Sequence, residues 1–181
     1  MIHSISLICA AAAAFMLSLP SLGDTVPLPG SAISAPGAQL EKIAGGFAFT
    51  EGPASDSHGN IFFTDQPNDR ILKWHASDGG TITTFLHPCG HSNGMCFDAH
   101  GDLWTCADGK NALWRITPAR KSTVIISDYG GKLLNGPNDV WLRPDGGLYL
   151  TDPFYQRDYW TRGPKEQDVE GVYYLAPGTR R

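Results

Sequence analysis

Three oxygen-bearing side chains share one phase of this sequence. Glu51 lies eight residues before Gly59, Asn93 eight before Gly101, and Asn138 eight before Gly146. Their contexts match: Thr50-Glu51-Gly52-Pro53, Ser92-Asn93-Gly94-Met95 and Pro137-Asn138-Asp139-Val140. One carboxylate and two carboxamides offer only oxygen, the donor set of a hard divalent cation. Ca²⁺ accepts roughly six to eight such ligands with loose geometry. A single Asn or Glu beside glycine commonly does no more than shape a turn or cap a strand. Turn chemistry does not require three of them in one register. Asp65 and Asp152 also share a phase, six residues after Gly59 and Gly146, but the second repeat has Ala107 there. These aspartates are expected to cap the hairpin after the second strand. His87, Cys89 and His91 form a local His-x-Cys-x-His cluster, but a structural Zn²⁺ site wants four ligands and only Cys96 or Cys106 offers a fourth, so the cluster reads as a connecting loop. Neither Gly-x-Ser-x-Gly nor His-Glu-x-x-His occurs, so serine-hydrolase and zincin chemistry lack their motifs.

The elements that position these side chains follow from the same repeat. Gly59-Asn60-Ile61-Phe62-Phe63, Gly101-Asp102-Leu103-Trp104-Thr105 and Gly146-Gly147-Leu148-Tyr149-Leu150 each place a short strand after a glycine turn. The glycines are 101 − 59 = 42 and 146 − 101 = 45 residues apart. Further β-rich runs follow at Arg70–Trp74, Ala112–Ile116 and Gly171–Leu175, and again at Thr81–Leu86 and Thr123–Ile126. A period of this length with about four strands per repeat is the signature of propeller blades. The first strand of each blade lines the central channel, so equivalent positions on successive blades converge at one level. A polar and aromatic insertion, about Gln156 to Asp168, separates the second and third strands of the third repeat. The expected fold is all-β, a partial propeller of about two and a half to three blades. The exposed blade faces, carrying residues such as Phe62, Trp104, Trp114 and Tyr149, are expected to drive self-association.

Composition bounds the rest. With 14 Lys+Arg against 18 Asp+Glu the 181-residue chain has a net charge of −4, and no basic run suggests nucleic acid as a partner. Hydrophobic residues at 41% can build a core, while 21 Gly and 13 Pro suit a turn-rich β-protein. Ile5 to Leu19 is apolar or small and ends at Pro20, and Ser21-Leu22-Gly23 offers small residues for cleavage before Asp24. Residues 1–23 therefore read as a signal peptide, 24–40 as an extended linker and 41–181 as the propeller domain. The expected location is periplasmic or secreted, with no membrane association after cleavage. Cys89, Cys96 and Cys106 are odd in number, so in an oxidising compartment one pair can bridge and leave one thiol free.

Phe49-Thr50-Glu51-Gly52-Pro53, His91-Ser92-Asn93-Gly94-Met95, Asn135-Gly136-Pro137-Asn138-Asp139 and Leu150-Thr151-Asp152-Pro153 resemble the gluconolactonase branch of the senescence-marker-protein/regucalcin/luciferin-regenerating-enzyme family. The resemblance covers about Glu41 to Arg181. It implies a six-bladed propeller with one divalent metal, usually Ca²⁺, at the channel mouth, and hydrolysis of a small-molecule lactone. Glu51 would be the first-blade metal carboxylate and Asn138 the third-blade amide ligand or substrate contact. Asn93 would face the channel. The family's further metal-binding Asn and its catalytic Asp come from later blades, so no catalytic residue is assigned here. The chain is expected to be a truncated lactonase; the alternative is a non-catalytic propeller fragment or assembly partner.

Overall fold

The computed structural model describes residues 35–179, so the expected leader and most of the expected linker lie outside them. The described residues fall into two units that divide after Ala44, and the first holds a turn closed by Ala38 N donating to Ala35 O at 3.0 Å. The second unit is built of antiparallel strands. β1 (Thr50–Ser55), β2 (Ile61–Asp65), β3 (Arg70–Trp74) and β4 (Ile82–Leu86) form one four-stranded sheet in chain order. β5 (Ser92–Phe97), β6 (Leu103–Ala107), β7 (Ala112–Ile116) and β8 (Ser122–Ile126) form a second. A small ribbon, β9 (Asp128–Tyr129) with β10 (Lys132–Leu133), leads to a three-stranded sheet of β11 (Val140–Leu142), β12 (Leu148–Asp152) and β13 (Gly171–Leu175). These are successive blades of a partial propeller.

The repeat is visible in its turns. Gly59, Gly101 and Gly146 all adopt positive φ, at 79°, 82° and 87°. Each donates its N–H three residues back, to Asp56 O, Asp98 O and Arg143 O, at 3.1, 3.1 and 3.0 Å. A side chain in that left-handed region would be strained, which is why glycine marks the phase. Strand burial then alternates as a pleated strand requires: Leu148, Leu150 and Asp152 point inward while Tyr149 is exposed.

Cross-strand rows seal one blade against the next. In the first blade Ala54 pairs with Phe62, and Phe62 with Lys73. Phe62 packs edge-on against Phe97 at 4.9 Å and Phe85 at 5.0 Å, within a core shared with Met95, Leu103 and Ile116. Burying one such ring is worth about 2–3 kcal/mol. The equivalent row of the second blade is Cys96–Trp104–Arg115, and its Cys96 and Trp104 pack against the cluster of Val140, Leu148 and Leu150. Phe62 and Trp104 are thus seam residues, not outer-face residues as expected. They face the following blade, which the strand pattern alone does not reveal. The third row, Trp141–Tyr149–Tyr174, is the exposed one. Trp141 stacks on Tyr149 at 5.9 Å, and Tyr149 meets Tyr174 at a tilt at 5.0 Å.

Cys89, Cys96 and Cys106 are all free thiols, so no pair among them is bridged. Cys89 lies in the seam between the first two blades and Cys106 in the seam between the second and third. Burial pushes the thiols of Cys89 and Cys96 up to about 12, and that of Cys106 well above its ordinary value.

Candidate functional site

The three register positions lie on, or just before, the innermost strands of consecutive blades. Glu51 is half-buried on β1, Asn93 is 3% exposed on β5, and Asn138 precedes β11 by two residues. β1 and β5 both lose register beside these positions, between Glu51 and Ala54 and between Ser92 and Met95, as a β-bulge does. Such a bulge bends a strand and redirects its side chains. Backbones then meet directly. Gly94 N donates to Asn138 O at 2.7 Å, joining the second blade to the third. Thr64 Oγ1 lies 3.1 Å from Glu51 O and 3.4 Å from Asn93 O, joining the first blade to the second. A Cβ added at Gly52 would overlap Asn93 O and approach Gly94 Cα to 2.9 Å; one added at Gly94 would overlap the Asp139 carboxylate. Glycine at 52 and 94 is what permits this approach. Asn138 and Asp139 are fixed from behind: Asn138 N donates to Thr151 O at 2.9 Å, and Asp139 N to Thr151 Oγ1 at 2.9 Å.

Asp65 and Asp152 do more than cap hairpins. Asp65, fully buried, accepts from Asn68 at 2.8 Å and from Arg70 at 2.7 and 3.0 Å, which closes the corner between β2 and β3. Its other oxygen accepts from Ala48 N at 3.0 Å and Phe49 N at 3.3 Å, on the approach to Glu51. Asp152, equally buried, accepts from Asn135 N at 2.9 Å and Gly136 N at 2.8 Å, on the approach to Asn138. Burial works to raise the Asp65 carboxyl, but its donors, Asn68 and Arg70 foremost, hold it below the usual range. Burial wins at Asp152, whose carboxyl is raised despite the two backbone donors.

The second blade is arranged differently. Its approach segment, Cys89 to His91, is held by Asp69 of the first blade, whose Oδ1 accepts from Cys89 N at 3.0 Å and His91 N at 2.6 Å. Asp69 and its counterpart Asn111 both adopt left-handed φ, 51° and 53°, at the C-cap of a short 3-10 turn. Asn111 reaches the next approach segment in the opposite sense, donating to Leu134 O and Asn135 O at 2.5 and 3.4 Å. His87, Cys89 and His91 occupy the β4–β5 connection and turn to separate partners. His87 Nδ1 is 3.0 Å from Asp69 O, Cys89 is buried, and His91 Nδ1 donates to Gln66 O at 2.9 Å.

The match of this chain to known proteins is specific. Residues 49–180 match the model of the SMP-30/Gluconolactonase/LRE-like region. The chain belongs to this gluconolactonase family. A gluconolactonase of Zymomonas mobilis is 32% identical over 157 residues, covering 78% of this chain and 44% of that relative. A solved structure described as a putative gluconolactonase shares 36% identity with a TM-score of 0.69, over 76% of this chain and 48% of its own. A solved gluconolactonase from Xanthomonas campestris, described as important in glucose secondary metabolic pathways, shares 27% identity with a TM-score of 0.76, over 86% and 56%. This chain therefore spans about half the length of the gluconolactonases it matches.

Two features of this region of the gluconolactonase-family chain escape a reading of the sequence alone. Thr64 and Thr151 share a phase with each other, but Cys106 interrupts it in the second blade. Asp108 is 2% exposed and receives side chains of the β12–β13 insertion, yet lies one residue beyond the phase that carries Asp65 and Asp152. A search one position beyond Ala107 would find it.

Proposed function

We propose that this chain carries the first-blades portion of a metal-dependent lactone-hydrolysing site, with Glu51, Asn93 and Asn138 as candidate ligands and a divalent cation, Ca²⁺ by choice of donors, as the cofactor. The supporting observation is the backbone contact that draws the three innermost strands together at these positions, Gly94 N to Asn138 O at 2.7 Å above all. The donor set fits such an ion in kind: one carboxylate and two amides, all oxygen, with glycine where a side chain would block the approach. Glu51, Asn93 and Asn138 include neither Cys nor His, so the set is not a zinc-type one. When bound, the ion would supply Lewis-acid polarisation of a lactone carbonyl. Glu51 would carry the balancing charge, Asn138 would orient the ring, and Thr64 and Thr151 would hold both strands. The substrate class, a small sugar lactone, is carried over from the family.

Calorimetric titration tests this. With about three protein ligands of the usual six to eight, Ca²⁺ is expected to bind in roughly the millimolar range, and Glu51→Ala to abolish binding. A micromolar site lost in Glu51→Ala would overturn the incompleteness of the set; a site untouched by that change would overturn its location. The second reading, a non-catalytic or assembling propeller portion, is favoured by the exposed Trp141–Tyr149–Tyr174 row, the equivalent of rows that other blades cover. Sedimentation of residues 24–181 together with a lactone assay separates the two, since an active monomer excludes it. We further propose export with cleavage before Asp24. Intact mass of secreted material checks this, and a full-length cytosolic chain would refute it.

A further inference from the structure

The insertion between β12 and β13 meets the segments that lead to Asn93 and to Asn138 through one buried carboxylate, that of Asp108. Tyr159 donates its hydroxyl to Asp108 Oδ2 at 3.0 Å, and Gln66 Nε2 donates to the same oxygen at 3.1 Å. Arg162 Nη2 stands 3.6 Å from Oδ1 and Arg157 Nε 3.7 Å from Oδ2. Gln66 Nε2 also reaches His91 O at 3.4 Å, while His91 Nδ1 donates back to Gln66 O. The His91 ring lies flat on Tyr159, centroids 3.8 Å apart and planes 9° apart. His91 is two residues before Asn93. Arg162 stacks on Trp160 at 3.2 Å, and together with Asp108 it fills the space that a Cβ on Gly136 would need. That Cβ would fall 2.5 Å from Asp108 Oδ1 and 2.7 Å from Arg162 Nη2. Gly136 is two residues before Asn138.

The far end of the insertion is anchored independently. Gln167 Nε2 donates to Tyr129 O and Lys132 O at 3.1 and 2.7 Å, and Asn135 Nδ2 donates to Val169 O at 2.9 Å. The insertion is therefore tied down at one end on the β9–β10 ribbon and pressed at the other against His91, Asp108 and Gly136. Asp108 is 2% exposed, so the donors and cations gathered round its carboxyl, Tyr159, Gln66, Arg157 and Arg162, are placed relative to one another through it.

We propose that Tyr159 and Arg162 are positioning residues: through Asp108 they strap the His91–Asn93 and Gly136–Asn138 segments into one arrangement, so that the insertion sets the spacing of the second- and third-blade ligands. This rests on the ligand reading above for its meaning, but the coupling itself can be measured without any metal. Amide hydrogen exchange on the full chain reads it. Tyr159→Ala removes both the stack and the hydroxyl, and is expected to speed exchange at residues 92–95 and 136–140 by at least about tenfold. Exchange in β3 and β4, to which none of these hydrogen bonds, ion pairs or ring contacts runs, should not change. Tyr159→Phe keeps the stack and should fall between the two. Arg162→Lys keeps the charge but not the planar stack on Trp160, and should loosen residues 136–140 more than 92–95. If exchange rises only within residues 154–169, the insertion is an independent appendage and the proposal fails. If it rises everywhere equally, the variant has lost global stability, and the Tyr159→Phe comparison with Arg162→Lys decides: equal, uniform changes in both refute the strap. Ca²⁺ titration of Tyr159→Phe forms a second arm. A wild type that binds no Ca²⁺ refutes the ligand reading alone and leaves the exchange result standing.

Discussion

The first and third blades hold the approach to their innermost strand with an aspartate of their own, whereas the second is held by its neighbours. Asp65 and Asp152 each take two consecutive backbone N–H groups of their own blade. At the equivalent position Ala107 offers nothing, and the work passes to Asp69 in the preceding blade and to the insertion of the following one. The difference separates local from borrowed order. A blade with its own clasp keeps part of that hold within itself, although Asn111 and Asp108 of the second blade also reach the approach to the third. The second blade presents Asn93 only while both seams are closed.

Breaking a local clasp should cost most. Asp65→Ala strands two backbone donors and uncovers Asn68 and Arg70, and is expected to lower stability by about 3 kcal/mol in urea unfolding. Asp152→Ala strands two backbone donors without a guanidinium hydrogen-bonded to the carboxylate, and should cost less, about 2 kcal/mol by the same measurement. The two should also differ with pH. The folded Asp65 carboxyl lies below its ordinary value, so its contribution is complete above about pH 4–5 and is lost as pH falls through the depressed value. The raised Asp152 carboxyl behaves in the opposite sense: its ionisation opposes folding, and that cost is relieved as pH falls through the raised value. Asp65→Asn should therefore flatten the acid limb of the stability profile, and Asp152→Asn should remove a gain on mild acidification.

The smallest change sharpens the comparison. Asp69→Gly preserves the left-handed backbone and removes only the side-chain bonds, so about 1–2 kcal/mol is expected. Its exchange signature should appear in the second blade, at residues 89–93, although the substituted residue belongs to the first. Acceleration confined to the first blade would show that the order of the second blade is not borrowed.

Strand positions were legible because they depend on local chemistry. β3, β7 and β13 coincide with Arg70–Trp74, Ala112–Ile116 and Gly171–Leu175, each bounded by turn residues and built of β-branched and aromatic side chains. The register of Glu51, Asn93 and Asn138 was legible for the same reason, as repetition at a fixed distance from a glycine. The bulges on β1 and β5 were not, since they answer to close packing between blades. The seam roles of Phe62 and Trp104 were hidden likewise: alternation separates two faces of a strand but does not say which one the next blade covers. The docking of Tyr159 on His91 spans 159 − 91 = 68 residues and leaves no periodic trace.

The cysteines give the seams a chemical readout. A thiol raised to about 12 is thiolate in only about one molecule in 10⁵ at neutral pH, and buried sulfur meets no reagent in any case. Cys89 and Cys106 therefore stay dark to alkylation until the blades part, Cys89 at the first seam and Cys106 at the second. Timed labelling would register each parting as a separate mass increment, so the chain carries its own clock for the order in which its blades come apart.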